Sequence, residues 1–283
     1  MNTMQKPVLP DFRLVALDLD GTLLDAQLGI HPETQTALRQ VRSRGLQVML
    51  ITGRHHITTA PYIAQLELDA PAICCNGTYI YDFKQRRTLF AKPLDTAQAS
   101  GLLSLLRKHG LRGFIYADDQ IAYEQRDIQI QRLLDWGAKQ TPAIEGITAV
   151  ESLESFVSQA KNVWKMIVSP QDPVVYQQFS IEVTQKLGLE FEQSGRNWFD
   201  VAQKGNSKGS TLAYWLSVQG IAPSQVLAFG DNHNDIGMLK LAGMGIAMGN
   251  AVPAVQAHAN EVIGHHDSNT IALALQRYVL ALR

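Results

Sequence analysis

Leu14-Val15-Ala16-Leu17-Asp18-Leu19-Asp20-Gly21-Thr22 runs from four apolar residues into two carboxylates one residue apart and then a Gly-Thr turn. Apolar residues in an unbroken short run suit a strand buried on both faces. Two anions at the end of such a strand repel, and each would be better solvated apart. A fold that holds them together is expected to neutralise them with a metal ion. Magnesium and phosphate are the first candidates. Asp and Gly are also ordinary turn residues, so the motif by itself leaves open a strand that simply ends in a turn.

The flanking sequence repeats the same texture. The span from Thr34 to Ser43 reads as a helix opened by His31-Pro32 and ended by Gly45. Leu46 to Ile51 is the next apolar strand, before Thr52-Gly53-Arg54, and a helix around Ile57 to Gln65 leads to Ala72-Ile73-Cys74-Cys75 and then Asn76-Gly77. Short buried strands alternating with helices predict a parallel sheet covered on both faces. The pattern resumes late in the chain. Asn206 to Gln219 reads as helix, Val226 to Phe229 as strand before Gly230-Asp231, Asp235 to Ala242 as helix, and Gly245 to Met248 as strand before Gly249-Asn250. Right-handed crossovers let all these pieces join one Rossmann-like, doubly wound α/β sheet.

The middle differs. Aromatic and β-branched runs (Phe114 to Tyr116, Trp164 to Val168, Leu189 to Phe191) alternate with helical segments at Ala97 to His109 and Val174 to Leu187. That texture predicts an α+β domain inserted into the first. The expected organisation is a core in two parts, 1–85 and 198–283, with an inserted cap at 86–197.

With 283 residues, 46% of them hydrophobic, the chain can bury a large core. A net charge of -1, from 25 basic and 26 acidic residues, gives no whole-chain attraction to nucleic acid or anionic lipid. A small soluble partner fits better, with no nucleic acid and no membrane. The two cysteines, Cys74 and Cys75, are adjacent and lie in an apolar run, a placement suited to core residues and poor for a disulfide or zinc site. Met1 to Phe12 carries no signal-like apolar stretch, and no apolar run approaches the roughly 18 residues of a membrane span. The expected location is the cytoplasm. Oligomeric state is not encoded legibly.

Ligands of open α/β sheets bind beyond the carboxyl ends of the strands, and the polar clusters fall there. Asp18 and Asp20 follow the first strand. Thr52 and Gly53 follow the second, where a hydroxyl and an amide can hold an anion. Lys208 lies near a helix start in Gly205-Asn206-Ser207-Lys208-Gly209, and Gly230-Asp231-Asn232-His233-Asn234-Asp235 follows another strand. Each alone suits a loop or surface position. Four independent turns supplying a metal site, an anion pocket and a cation make a stronger case together.

The set Asp18-Leu19-Asp20-Gly21-Thr22, Thr52-Gly53-Arg54, Lys208 and Gly230-Asp231-Asn232-x-Asn234-Asp235 resembles the four motifs of the haloacid dehalogenase (HAD) superfamily, in that family's order. The insertion after the second motif, with Ile73-Cys74-Cys75-Asn76-Gly77-Thr78, resembles the Cof-type branch, and within it the bacterial pyridoxal phosphate phosphatases. The resemblance implies a magnesium-dependent phosphatase of small phosphorylated metabolites working through an aspartyl-phosphate. In that reading Asp18 is the nucleophile and Asp20 handles the proton. Mg2+ is held by the Asp18 side chain, the Asp20 carbonyl and Asp231. Phosphate is met by the Leu19 and Gly53 amides, Thr52, Lys208 and Asn234. Asn232 and Asp235 stand behind them, Asp235 orienting Lys208 or a metal-bound water.

Pyridoxal 5'-phosphate is the leading substrate expectation, and a sugar phosphate is the alternative, because the cap has no readable code. A phosphomutase would have to retain the phosphoryl group. A catalytically silent phosphate-binding regulator is the reading from another class, and the presence of Asp18, Asp20, Lys208 and Asp231 argues against it. His55-His56 and His265-His266 are expected in loops or at solvated positions, and Trp164 in the core. Arg54 is expected to cap a helix or meet an acid, and His233 to come near the cleft.

Overall fold

The computed structural model describes residues 11–169, 172–195 and 198–281. Residues 1–10 of the segment read for a signal, and Asn197 at the expected second seam, lie outside the described residues. In chain order the elements are β1 (Leu14–Leu17), α1 (Pro32–Ser43), β2 (Gln47–Leu50), α2 (His56–Gln65), β3 (Ala72–Cys74), β4 (Tyr79–Asp82), β5 (Arg87–Ala91), α3 (Thr96–Lys108), β6 (Gly113–Ala117), β7 (Gln120–Tyr123), α4 (Ile128–Ala138) and β8 (Ile147–Ala149). They continue with α5 (Leu153–Gln159), β9 (Val163–Val168), α6 (Pro173–Leu187), β10 (Leu189–Gly195), β11 (Trp198–Gln203), α7 (Lys208–Gln219), β12 (Val226–Gly230), α8 (Ile236–Leu241), β13 (Met244–Ala247), α9 (Pro253–Gln256), β14 (Glu261–Val262) and α10 (Thr270–Leu275). Among the described residues no helix is long and apolar enough to cross a membrane.

The chain divides into two compact units, one of residues 11–52, 66–72 and 207–281, the other of 53–65 and 73–206. In the first, five strands in the order β14-β13-β12-β1-β2 form a parallel sheet. Every residue of β1 and of β12 is buried, as unalternating apolar strands covered on both faces must be. The chain leaves β1 for β2 on one side and returns as β12 on the other, so the carboxyl end of β1 is the switch point of the sheet. Helix α1 starts at Pro32, whose fixed φ suits a first turn, and buries Ala37, Leu38 and Val41. Helix α7 starts two residues later than the sequence pattern suggests, because Ser207 caps it by accepting from the Ser210 amide.

The second unit carries a mixed six-stranded sheet in the order β10-β11-β9-β6-β7-β8. Its pairs are antiparallel apart from β7 with β8. Helices α3, α5 and α6 pack together on a core that includes Leu102, Leu106, Ile115, Met166, Phe179, Val183 and Val201. This is the α+β texture expected of the middle segment.

One strand departs from expectation. Ala72 to Cys75 was expected to extend the parallel sheet, but β3 joins β4 and β5 in a separate three-stranded sheet. Cys75, Asn76 and Gly77 all have positive φ (50°, 54° and 94°). That tight turn delivers β4 at once, giving β3 a local neighbour. Both cysteines are buried and unpaired, and burial pushes the Cys75 thiol up to about 12.

His55 lies in the loop before α2, as expected, but both histidines are buried and not solvated, and His56 opens the helix. His56 Nδ1 lies 2.9 Å from the Tyr79 hydroxyl and Nε2 3.0 Å from Asp119, with the ring stacked on Tyr81. His55 Nε2 is 3.0 Å from the Asp118 carbonyl. The pair was misread because α2 begins at His56 and turns it inward, against residues more than twenty positions away. Trp164 is in the core as expected, its Nε1 donating to the Asp118 carbonyl at 2.9 Å.

Burial lowers the His56 pKa to about 4, against the pull of Asp119. A histidine whose folded pKa lies below its unfolded value near 6.5 favours the unfolded chain as pH falls through that interval. The difference in unfolding free energy between the wild type and His56→Phe is therefore expected to move by about 3 kcal/mol in the variant's favour from pH 7.5 to pH 4. Urea unfolding across that range checks this, and parallel pH curves for the two proteins would refute it.

Candidate active site

Three adjacent strands of the first unit deliver polar residues to one edge. The register pairs Leu17 with both Leu50 and Phe229, so Asp18, Thr52 and Asp231 follow β1, β2 and β12 at the same end. Asp18 and Thr52 are buried. Leu19 is fully buried between them in sequence, while Asp20 is exposed. Gly53 follows Thr52 in the chain and belongs to the second unit.

Lys208 organises this edge. It is the first residue of α7, where the helix dipole disfavours a cation, and it is almost wholly buried. Two carboxylates compensate: its Nζ lies 2.6 Å from Asp18 Oδ1 and 2.7 Å from Asp235 Oδ1. Burial pulls the Lys208 ammonium down, but Asp18 and Asp235 outweigh it and hold the pKa above its ordinary value. The surface-lysine alternative is excluded. The approach depends on Gly209, since a Cβ there would fall 2.5 Å from the Gly237 backbone of α8.

Asp235 is fully engaged. Its Oδ1 meets Lys208, and its Oδ2 accepts from the amides of Asp231 and Asn232 at 2.9 and 3.0 Å. Asp235 therefore holds the Asp231 turn and Lys208 together. Asn232 is exposed and accepts from the His233 amide at 2.8 Å. Asn234 is half-buried in the same turn, and His233 is exposed.

Asp18, Asp231 and Asp235 place carboxylate oxygens within 4.8 Å of one another. Burial, then Asp235, drives the Asp18 pKa well above its ordinary value despite Lys208. Burial likewise pushes Asp231 up to about 6, against a hydrogen bond from Thr22. Such a cluster is short of positive charge, and oxygen donors of this kind suit a hard divalent cation. The residues fit one: Asp18 and Asp231 supply the donors, and Asp235 is taken by its other partners.

Two contributors escaped the sequence reading. Thr22 Oγ1 donates to Asp231 Oδ1 at 2.8 Å, and Asn250 Nδ2 donates to the Gly21 carbonyl at 2.8 Å while its Oδ1 accepts from the His266 amide. Gly21 (φ 78°) passes so close to Asp231 that a Cβ would lie 2.4 Å from Oδ2. The signal for Asn250 was its place just after a buried strand, like the other site residues. His265, His266 and Asp267 also cluster, but His266 Nδ1 is held by the Leu24 carbonyl and Asp267 Oδ1 by the Ala26 amide. They fasten the loop after β1, as the loop expectation has it. In the second unit Arg54 lies over the rings of Tyr62 and Trp136, at 5.2 and 5.1 Å.

Gly21→Ala is expected to displace Asp231 and weaken divalent-cation binding about tenfold or more. Titration calorimetry with the purified protein measures this directly, and unchanged affinity would show that the Gly21 cradle is unimportant.

The comparisons with known proteins agree with this geometry. The profile of the haloacid dehalogenase-like hydrolases matches residues 15–275. The pyridoxal phosphate phosphatase YbhA of Escherichia coli is 41% identical over 269 residues, covering 95% of this chain and 99% of that one. An HMP-PP phosphatase of Serratia proteamaculans is 27% identical, covering 95% and 96%. Among solved structures, a haloacid dehalogenase-like hydrolase from Bacteroides thetaiotaomicron superposes with a TM-score of 0.82 at 23% identity, covering 94% of this chain and 99% of that one. A family profile matching nearly the whole chain, over a switch point built as described, makes this protein a member of the haloacid dehalogenase-like hydrolases.

Proposed function

We propose that the protein is a magnesium-dependent phosphatase that hydrolyses small phosphorylated metabolites through an aspartyl-phosphate, with pyridoxal 5'-phosphate as substrate. The observation that carries the reaction is Asp18 buried at the switch point with Lys208 on its Oδ1 at 2.6 Å. The 41% identity to a pyridoxal phosphate phosphatase supports the substrate. The segment 86–197 acts as the cap that selects substrate, and the flanking parts carry the chemistry. A soluble small-molecule substrate, without nucleic acid or membrane, and a cytoplasmic location belong to the same reading.

Lys208 draws Asp18 toward its anionic form, against burial and Asp235, and orients its carboxylate for attack. Asp18 forms a bond to phosphorus as the bond from phosphorus to the leaving oxygen breaks. Asp20 gives that oxygen a proton, then takes one from the water that attacks the acyl-phosphate and releases inorganic phosphate. Its exposure suits a group that must lose and regain a proton. Thr52, Lys208, Asn234 and the amides of Leu19 and Gly53 hold the phosphoryl oxygens. Asp18 and Asp231, with the Asp20 carbonyl, would hold Mg2+, which would supply charge neutralisation for the transferring group.

Asp18→Asn is expected to lower kcat for p-nitrophenyl phosphate by at least a thousandfold while the circular dichroism spectrum is unchanged; a variant with full activity would sink the mechanism. Exhaustive chelation is expected to abolish hydrolysis, and Mg2+ to restore it. For the substrate, kcat/KM for pyridoxal 5'-phosphate is compared with values for hexose and nucleotide phosphates. A clear preference for a sugar phosphate would overturn that part of the proposal and favour the alternative.

A further inference from the structure

The second unit contains a buried lysine that the reaction as described does not use. Lys165 lies on β9, a strand with every residue buried, yet carries a cation. The β9–β11 register sets Asp200 opposite Ile167, so Lys165 and Asp200 are diagonal neighbours on one face of the sheet. Lys165 Nζ lies 2.5 Å from Asp200 Oδ2, and Asp200 is also buried. Nζ also donates to the Gly53 carbonyl oxygen at 2.9 Å.

Asp200 Oδ2 in turn accepts from Asn76 Nδ2 at 3.2 Å. Asn76 sits in the turn where Cys75, Asn76 and Gly77 all have positive φ. Consecutive non-glycine residues there are strained and persist only when their surroundings over-determine them. The Cys75 amide donates to the Arg54 carbonyl at 3.0 Å. The Asn76 amide group fills the space beside Gly53, where a Cβ would lie 2.9 Å from its Oδ1.

A glycine is the least constrained residue in a chain, and a Gly53 amide that is to meet phosphate gains from having that freedom removed. The strained turn packs against its Cα, and the ammonium of Lys165 holds its carbonyl. An ion pair kept only for stability is a poor device, because apolar replacements of similar volume are often as stable. We propose that Lys165, with Asp200 and Asn76, is a positioning device that fixes the Gly53 peptide and so sets the Thr52–Gly53 turn for the phosphoryl group. This rests on the phosphatase reading above. Lys165 acts through Gly53, with no contact to substrate.

The test uses Lys165→Met and the double variant Lys165→Met/Asp200→Leu, assayed with p-nitrophenyl phosphate beside the wild type and Asp18→Asn. Lys165→Met leaves Asp200 buried without its cation, and the double variant removes both charges, so a folding failure of the first does not end the experiment. Both are expected to lose 10- to 100-fold in kcat and a similar factor in affinity for orthovanadate, a mimic of the transferring phosphoryl group. The Mg2+ concentration for half-maximal activity should stay within twofold of wild type. A purely structural pair would lower the thermal midpoint and leave kcat and vanadate affinity within twofold, which would overturn the proposal. An inactive wild type would instead indict the phosphatase reading, so the two failures are distinguishable.

Discussion

The ion pair that Lys208 makes with Asp18 and Asp235 is the interaction on which the first unit's chemistry depends. Three carboxylates at one sheet edge repel, and burial raises the cost of every charge. Lys208 offsets part of it, and Asp235 passes the constraint onward through the amides of Asp231 and Asn232. Loss of that ammonium would leave two buried carboxylates uncompensated, a situation that typically costs 3–5 kcal/mol. The residual deficit of positive charge is what makes the site receptive to a divalent cation.

Much of this was legible because the signals are local. An unalternating apolar run such as Leu14 to Leu17 admits few readings, and a polar cluster directly after it falls at the ligand-binding edge of any open parallel sheet. Asp18, Thr52 and Asp231 were placed at that edge this way, and Lys208 was singled out by its position near a helix start. What escaped depends on contacts between residues far apart in the chain. Thr22 touches Asp231 across 209 positions and Asn250 reaches Gly21 across 229, and no short-range pattern marks such pairs. The burial of His55 and His56 was missed for the same reason, since their partners Asp118 and Asp119 sit more than sixty residues away. β3 was assigned to the wrong sheet because its strand pattern is correct while its partner is decided by the turn that follows.

Both units bury a lysine against an aspartate and use the remaining donors on something else. Lys208 spans two carboxylates, whereas Lys165 divides its donors between Asp200 and a backbone carbonyl. In each, the sequence shows only a lysine, in one case beside a helix start and in the other within a β-rich run. Burial converts an ordinary surface residue type into a rigid fitting, and burial is a tertiary property.

The strand order has a consequence for how the protein is made. β1 is flanked by β2 and by β12, and Leu14 pairs with Val226. While the chain is being synthesised, β1 can gain its first neighbour early, but its second edge stays open until the ribosome has passed Val226. At typical elongation rates that interval is on the order of 10–40 s. The middle segment, whose described six-stranded sheet is built from its own strands, is complete before then. The nascent chain therefore carries a finished inner unit while the strand that ends in Asp18 still waits for its partner, with one apolar edge open to other chains.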